Sequence, residues 1–187
     1  MKGLFKAAVA VALVVMAWNV LVPSCSAPFG CEALGAAHAD DETCPTSIEG
    51  AVGDSAWAAS RYETIKDRAE TVGLAYDEDG TEHEFTSGED DDADKAALLL
   101  RDRGVPAAKD GSYPVASHVE IKVAARMHDD DTKKVVLVIN NRRGVCSYDV
   151  AQGGLGCQQA LPYVLPDGAE IFVWDVATQV FQRFVGK

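Results

Sequence analysis

The chain has too few basic residues for a protein that binds nucleic acid through charge alone. Its 187 residues include 17 lysines and arginines against 29 aspartates and glutamates, which gives a net charge of −12. Residues 40–103 account for the acidity, with 19 acidic and 6 basic side chains. Because nucleic-acid-binding proteins usually show a basic face, this composition argues against strong non-specific affinity for DNA.

Two further absences narrow the function. No H-E-x-x-H motif occurs, so the common zinc-peptidase signature is missing. The longest apolar run, residues 7–22, has only about 16 residues, which is short for a membrane span. With Lys2 and Lys6 before it and Ala37-His38-Ala39 after it, the run predicts a signal peptide over residues 1–39, cleaved after Ala39. We expect a secreted protein without stable membrane insertion after cleavage; an uncleaved membrane anchor is the alternative.

The remaining residues are enough for one domain with its own core. Residues 40–70 show no strong apolar period, and we interpret them as a linker that ends in a short helical stretch. Residues 71–187 predict a hairpin, two helices, a strand, a helix and two strands, which indicates an α/β domain around a mixed sheet. In the first helix, near residues 93–103, we expect Ala97, Leu98 and Leu100 to face the core.

The continuous β-branched run of residues 135–139 predicts a central strand that is buried on both faces. In open α/β sheets, sites lie at the carboxyl ends of such strands. Asn140 and Asn141 follow this strand directly, and Cys146 comes a few residues later. The sequence therefore predicts a functional site at this end of the sheet.

A histidine, a carboxylate and two cysteines form the set of residues that a water-activating zinc site needs. Catalytic zinc is commonly held by three protein ligands, and the fourth position is left for water. His118, Cys146 and Cys157 would be the ligands, and Glu120 would stay off the metal and move protons.

A simpler interpretation of the same residues is a helix start. Ser117-x-x-Glu120 matches a capping box, in which Glu120 only ties back the first turn, and the predicted helix runs from residue 117 or 118 to about 128. Residues two apart on a helix point about 200° apart. His118 and Glu120 therefore converge only if His118 stands at the first helical position, where a Ser117 cap would place it.

The cysteines also have two interpretations. In an exported protein, two nearby cysteines often form a disulfide, so a Cys146–Cys157 bridge competes with metal binding. If Cys25 and Cys31 leave with the signal peptide, Cys44 remains as an unpaired thiol.

Several motifs in this order carry a family resemblance. Gly111-Ser112-Tyr113-Pro114-Val115-Ala116-Ser117-His118-Val119-Glu120 resembles the catalytic motif of the DddA-like cytidine deaminase toxins. The later motifs also match, and the resemblance extends from about Thr71 to the C-terminus. The later motifs are Val138-Ile139-Asn140-Asn141, Gly144-Val145-Cys146, Gly156-Cys157 and Leu161-Pro162-Tyr163-Val164-Leu165-Pro166-Asp167-Gly168.

The resemblance implies a cytidine deaminase-like three-layer α/β/α sandwich with a mixed central sheet. It assigns Zn²⁺ to His118, Cys146 and Cys157, and the role of general acid and base to Glu120. The implied reaction is hydrolysis of cytosine to uracil in DNA. One departure is the ten-residue gap between the cysteines, where many zinc deaminases have C-x-x-C.

Substrate contacts are predicted at four residues near the catalytic motif, and each has an ordinary structural alternative such as a turn or a half-buried aromatic. They are Asn140, Asn141, Tyr113 and Ser117. Arg142 and Arg143 would meet phosphates. The expected role is an interbacterial toxin that acts in a target-cell cytoplasm, with DNA as substrate and a cognate immunity protein as partner. Two alternatives remain: a secreted non-enzymatic binding protein with a Cys146–Cys157 disulfide, and a deaminase of RNA or nucleosides.

Overall fold

A computed structural model describes residues 29–30, 44–147 and 155–187, and it places one five-stranded sheet at the centre of the fold. The strands are β1 (Val72–Tyr76), β2 (Glu82–Thr86), β3 (Lys134–Ile139), β4 (Glu170–Asp175) and β5 (Val180–Val185). Their order in the sheet is β2-β1-β3-β4-β5. β3 and β4 pair in parallel, whereas the other neighbours are antiparallel. The predicted mixed sheet is confirmed.

The hairpin and the central strand also match the prediction. β1 and β2 are joined at Asp77, whose carboxylate accepts hydrogen bonds from the backbone N–H groups of Asp79 and Thr81. β3 lies in the middle of the sheet with its last five residues buried. A strand covered on both faces needs apolar side chains at every position, which explains its unbroken apolar run of valine, leucine and isoleucine.

Helices cover both faces of the sheet, and three layers result. They are α1 (Ile48–Gly53), α2 (Ser55–Ile65), α3 (Asp91–Asp102), α4 (Val119–Arg126) and α5 (Cys157–Val164). One core cluster joins α3, α4 and α5 to one face of the sheet, and a second joins α1 and α2 to the other. The α/β/α architecture expected from the resemblance is therefore present. Within the described part of the chain, no helix combines the length and apolarity that a bilayer crossing requires.

Two helices occupy much of the region that was expected to be a linker. Ser47 caps α1 and Asp54 caps α2 through side-chain bonds to backbone N–H groups. α2 buries Trp57, Tyr62 and the charged Arg61. α2 matches the short helical stretch expected at the end of this region, but the buried arginine interrupts the apolar period, so the sequence pattern did not indicate the full extent of the helical structure.

The N-terminal residues lie almost wholly outside the described part of the chain. Of the predicted signal peptide, residues 1–39, the structure describes Phe29 and Gly30, and Phe29 is fully buried in the second core cluster. Cys44, which was expected to be an unpaired thiol, is disulfide-bonded. That expectation assumed that the upstream cysteines leave with the signal peptide.

The buried side of α3 differs from the prediction. The structure buries Ala93, Ala96 and Leu100, whereas Leu98 is 49% exposed. Positions 93, 96 and 100 are three and four residues apart, which is the spacing of one helical face. Leu98 lies outside this face, so its apolar character was misleading.

α4 lies directly on the sheet because β1 has a glycine where the two meet. A Cβ at Gly73 would lie 2.6 Å from Val119 Cγ1 and 2.8 Å from Leu137 Cδ1. Farther along α4, the buried Lys122 donates hydrogen bonds to the carbonyl of Thr86 and to the carboxylate of Asp90, the N-cap of α3. The pairing satisfies a charge that would otherwise be costly to bury, and it fastens α4 to α3 and β2.

We expect Gly73→Val to lower the free energy of unfolding by about 1–3 kcal/mol, because overpacking forces α4 away from the sheet. Urea denaturation of the folded protein measures the change. Gly53→Ala is the matched control: a Cβ at Gly53, the last residue of α1, meets nothing within 4 Å. Equal stability losses in the two variants would contradict the close contact of α4 with β1.

Candidate metal centre

Three potential metal ligands meet at the carboxyl end of β3. Nδ1 of His118 lies 3.2 Å from Sγ of Cys157 and 3.4 Å from Sγ of Cys146. The two sulfurs are 3.1 Å apart. All three ligand atoms lie within 4.8 Å of one another. The structure thus brings together the three residues that the sequence analysis singled out as ligands.

His118 reaches the cluster from the start of α4, but not as the capping hypothesis predicts. A short 3-10 turn covers Pro114–Ser117, and His118 itself is the N-cap of α4 with an extended backbone. The hydroxyl of Ser117 donates to the carbonyl of Pro114 instead of capping α4. The expected Ser117 cap is therefore wrong by one position. The backbone of His118 is extended and not helical. The 200° separation between residues two apart on a helix therefore does not apply to His118 and Glu120.

The two cysteines converge despite ten intervening residues because a glycine allows their backbones to touch. A Cβ at Gly156 would lie 2.5 Å from the carbonyl group of Ser147. Gly156 is the N-cap of α5 and Cys157 its first residue. Gly153 and Gly154, which were expected to loop out this gap, lie outside the described residues. The close approach at Gly156 is enough to place the cysteines side by side.

Cys146 and Cys157 are free thiols in this structure. A disulfide needs a sulfur–sulfur distance of about 2.05 Å, which is well below the 3.1 Å found here. The site therefore shows the arrangement expected for metal ligands and not the alternative structural bridge.

The cysteine pair shares its charge unequally. The hydrogen bond with the Cys157 thiol, together with His118 and the Cys157 backbone N–H, lowers the pKa of Cys146 to about 4 although burial opposes the shift. The same thiol hydrogen bond and burial raise the pKa of Cys157 well above its usual value. The backbone N–H of Cys157, at the start of α5, donates to the Cys146 sulfur over 2.9 Å. The first N–H groups of a helix stabilise a thiolate, and here they serve Cys146.

Glu120 lies beside the ligands but is not one of them. It is only 3% exposed, and burial is the main cause that raises the pKa of its carboxyl group. The Cys157 thiol lies against this carboxyl group, and His118 partly offsets the effect of burial. A buried carboxyl group with a raised pKa can both accept and donate a proton near neutral pH.

A cavity of about 210 Å³ opens next to the cluster. His118 and Cys146 form part of its wall, and most of the rest is apolar. Tyr113 also lines it and donates its hydroxyl hydrogen to the carbonyl of Val105. Several wall residues could not be predicted from the sequence, because small and apolar side chains in loops carry no motif. They include Val105, Pro106, Ala108, Ser147 and Leu155.

The two asparagines lie near the site but use their side chains on the backbone. The Asn140 amide accepts from the Val72 N–H and donates to carbonyls that include those of Ile65 and Glu70. Asn141 donates to the carbonyl of Gly144 and accepts from a backbone N–H within the same turn. Both residues shape the loop that leads to Cys146, and their predicted contacts with a nucleotide stay predictions.

The ligand set fits zinc. One imidazole nitrogen and two thiolate sulfurs are typical zinc donors, whereas Mg²⁺ and Ca²⁺ prefer oxygen. Ligand atoms around a tetrahedral zinc lie roughly 3.5–3.8 Å apart, given Zn–N and Zn–S bonds of about 2.0–2.3 Å. The distances of 3.1–3.4 Å between the three atoms are a few tenths of an ångström shorter. Small side-chain rotations would therefore adapt the cluster to the metal.

Comparison with known protein families matches most of the chain to a deaminase family. The family model described as SCP1.201-like deaminase matches residues 43–187. A comparison with curated proteins gives no match.

We expect the purified protein to bind about one zinc ion per chain, and Cys157→Ala to bind almost none, because a three-ligand site does not survive the loss of a thiolate. Elemental mass spectrometry after gel filtration measures the metal. His83→Ala is the control, since His83 is an exposed histidine on β2 outside the cluster. A wild-type zinc content in the Cys157→Ala protein would exclude the cluster as the metal site.

Proposed function

Because the chain belongs to the SCP1.201-like deaminase family, we propose that it is a zinc-dependent cytosine deaminase that converts cytosine to uracil in DNA. The observation that carries the proposal is the position of buried Glu120 against a cluster of His118, Cys146 and Cys157 at the wall of a cavity. Family membership supports hydrolytic deamination, and the DddA-like motifs support cytosine in DNA as the substrate.

His118, Cys146 and Cys157 would hold the zinc, and its chemical contribution would be to lower the pKa of water toward neutrality. In the proposed reaction, the water oxygen bonds to C4 of cytosine and the C4–N4 bond breaks, so that uracil and ammonia leave. Glu120 takes a proton from the attacking water, gives it to ring nitrogen N3, and later transfers a proton to the departing amino group. The cavity wall holds the base beside Glu120 and keeps bulk water away from it.

The distribution of ion pairs supports a polynucleotide substrate. Ten lysine and arginine side chains of the described residues are in ion pairs with acidic groups. Lys187 lies over the ring of Tyr163, and Arg61 is buried. Among the described residues, three exposed cations have no such partner: Lys109, Arg142 and Arg143.

These three cations belong to the two loops that form the cavity wall. Lys109 stands between Ala108 and Ser112, which line the cavity, and Arg143 is three residues before Cys146. Three residues of extended chain span at most about 11 Å. In an acidic protein, the charges left free for phosphates are thus close to the cavity. Local positive charge offsets the repulsion that a net charge of −12 exerts on DNA.

We further propose that the protein is exported and acts as a DddA-like toxin in the cytoplasm of a target cell. The disulfide at Cys44 supports export, because disulfides persist in oxidising compartments. A producer of a DNA-damaging enzyme needs protection from it, so the proposal includes a cognate immunity protein as partner.

The test of the activity is incubation with single- and double-stranded DNA, followed by uracil excision and strand cleavage. RNA and free deoxycytidine are parallel substrates. Uracil in either DNA supports the proposal, whereas conversion of RNA or deoxycytidine alone would replace it with the alternative deaminase. No conversion of any substrate by zinc-loaded protein would leave the secreted binding protein as the better interpretation.

We expect Glu120→Gln to reduce uracil formation by at least about 10²–10⁴-fold, because the amide keeps the size but cannot shuttle protons. Zinc content should remain about one ion per chain, which separates this variant from a ligand mutant. Glu89→Gln, at an exposed glutamate before α3, is the control and should retain full activity. Wild-type turnover by Glu120→Gln would refute the assigned role.

We expect the double variant Arg142→Gln/Arg143→Gln, in a Glu120→Gln background, to bind DNA more weakly and with a smaller salt dependence. Each lost phosphate contact lowers the slope of log affinity against log salt by about 0.7–0.9. Fluorescence anisotropy over a salt series measures it. Arg101→Gln is the control, since Arg101 is an exposed arginine paired with Asp102 on α3. An unchanged slope in the double variant would remove these arginines from the DNA interface.

A further inference from the structure

Phe29 lies inside the folded domain although the sequence places it within a predicted signal peptide. Its side chain is fully buried. The ring packs edge-on to Trp57 at 6.0 Å and stacks on Tyr76 at 6.1 Å between centroids. Trp57 and Tyr76 also contact each other, so the three rings form one aromatic cluster. Aromatic rings in this arrangement contribute more than their buried area alone.

The backbone on either side of the ring is also tied to the domain. The N–H of Phe29 donates to the carbonyl of Gly80, at the turn between β1 and β2. The indole N–H of Trp57 donates to the carbonyl of Phe29 over 3.0 Å. Arg61 donates to the carbonyl of Gly30. Two consecutive residues thus make three hydrogen bonds, two to side chains of α2 and one to the β1–β2 turn.

The place that Gly30 occupies accepts no side chain. Its φ is +68°, and an added Cβ would lie 2.6 Å from Nη1 of Arg61 and 2.8 Å from Oε2 of Glu82. Glu82 in turn accepts the hydroxyl hydrogen of Tyr76 at 2.5 Å. The shape of the site therefore requires a Phe-Gly pair. The phenylalanine ring fills the apolar space beside Trp57 and Tyr76, and the glycine backbone lies against the polar groups of Arg61 and Glu82.

The buried guanidinium of Arg61 makes this cover important. Arg61 is 1% exposed, and its Nε and Nη2 have no hydrogen-bond partner among the described residues. The carbonyl of Gly30 is a partner of its Nη1. Without that carbonyl, the buried guanidinium of Arg61 would lose one of its few hydrogen bonds. Burying a charge without hydrogen-bond partners is costly.

We propose that Phe29 and Gly30 are a permanent part of the folded protein, and that any cleavage of the N-terminal segment occurs before Phe29. This position differs from the cleavage after Ala39 that the small-residue pattern predicts. It also extends the folded unit upstream of residue 43, where the family match begins. The groove formed by Trp57, Arg61, Tyr76 and Gly80 is then an internal docking site for this Phe-Gly pair and not a surface for a partner.

Cys44 provides an independent reason for retention. It is disulfide-bonded, whereas Cys146 and Cys157 are free thiols. The other cysteines of the sequence, Cys25 and Cys31, both precede Ala39. A protein cut after Ala39 would have no cysteine left for Cys44 except one that belongs to the metal centre.

Intact mass spectrometry of the exported full-length gene product tests the proposal directly. The expected mass includes Phe29, and digestion without reduction should yield a Cys44 peptide linked to one that contains Cys25 or Cys31. A mature protein that begins at Asp40, folded and with Cys44 free, would overturn the proposal.

Thermal unfolding of the full chain provides the second test. We expect Phe29→Ala to lower the Tm by about 6–12 °C, because it empties a core position. Phe29→Leu should lower it less and serves if the alanine variant fails to fold. Leu98→Ala, at a leucine of α3 that is 49% exposed, is the control and should change the Tm little. A Tm that neither Phe29 variant shifts would show that this segment is not part of the core.

Discussion

The first turn of α4 rests on the bare backbone of β1 at Gly73, and the candidate metal centre depends on that contact. Val119 lies against the glycine, and its neighbours His118 and Glu120 reach the site from the same turn. Because α4 cannot rise from the sheet without losing this packing, its first turn is held at a fixed height. The side chain of Lys122 limits sliding of α4 across the sheet, because it bonds to β2 and to the N-cap of α3. Groups that hold a metal or move protons need positions fixed within about half an ångström, and packing of α4 on the core fixes His118 and Glu120 in this way.

Much of the sheet and the ligand set could be predicted because their signals are local or belong to a motif. The Asp-Gly turn, the β-branched run of β3 and the residues of the ligand cluster are visible in short stretches of sequence. The identity of the N-cap of α4 could not be predicted, because it depends on whether Ser117 turns toward Pro114 or toward the helix. α2 was predicted only as a short helical stretch, because its buried side includes Arg61, whose pairing involves a residue 31 positions upstream.

The same limit applies to polar residues near the site. Asn140 looks like a substrate contact because it follows a central strand, yet its amide binds the backbone of residues 65–72. Long-range backbone partners leave no trace in a motif. The free cations show the reverse case: Arg142 and Arg143 gain significance only after the acidic partners of the other basic residues are known. The composition shows only that the protein is acidic overall. The arrangement of ion pairs shows which basic side chains remain without an acidic partner among the described residues.

The separation of 3.1 Å between the two thiols of the metal centre has a consequence for the life history of the protein. In the oxidising compartment that the proposed export would expose it to, an adjacent pair of sulfurs would also be a substrate for oxidants. A short rotation would close a bridge and abolish the ligand set. Metal uptake and oxidation therefore compete for the same two atoms, and the outcome depends on which happens first. If the protein binds zinc and is exported as proposed, zinc would have to bind before the thiols oxidise, and the burial of Cys157 limits the access of oxidants to that sulfur.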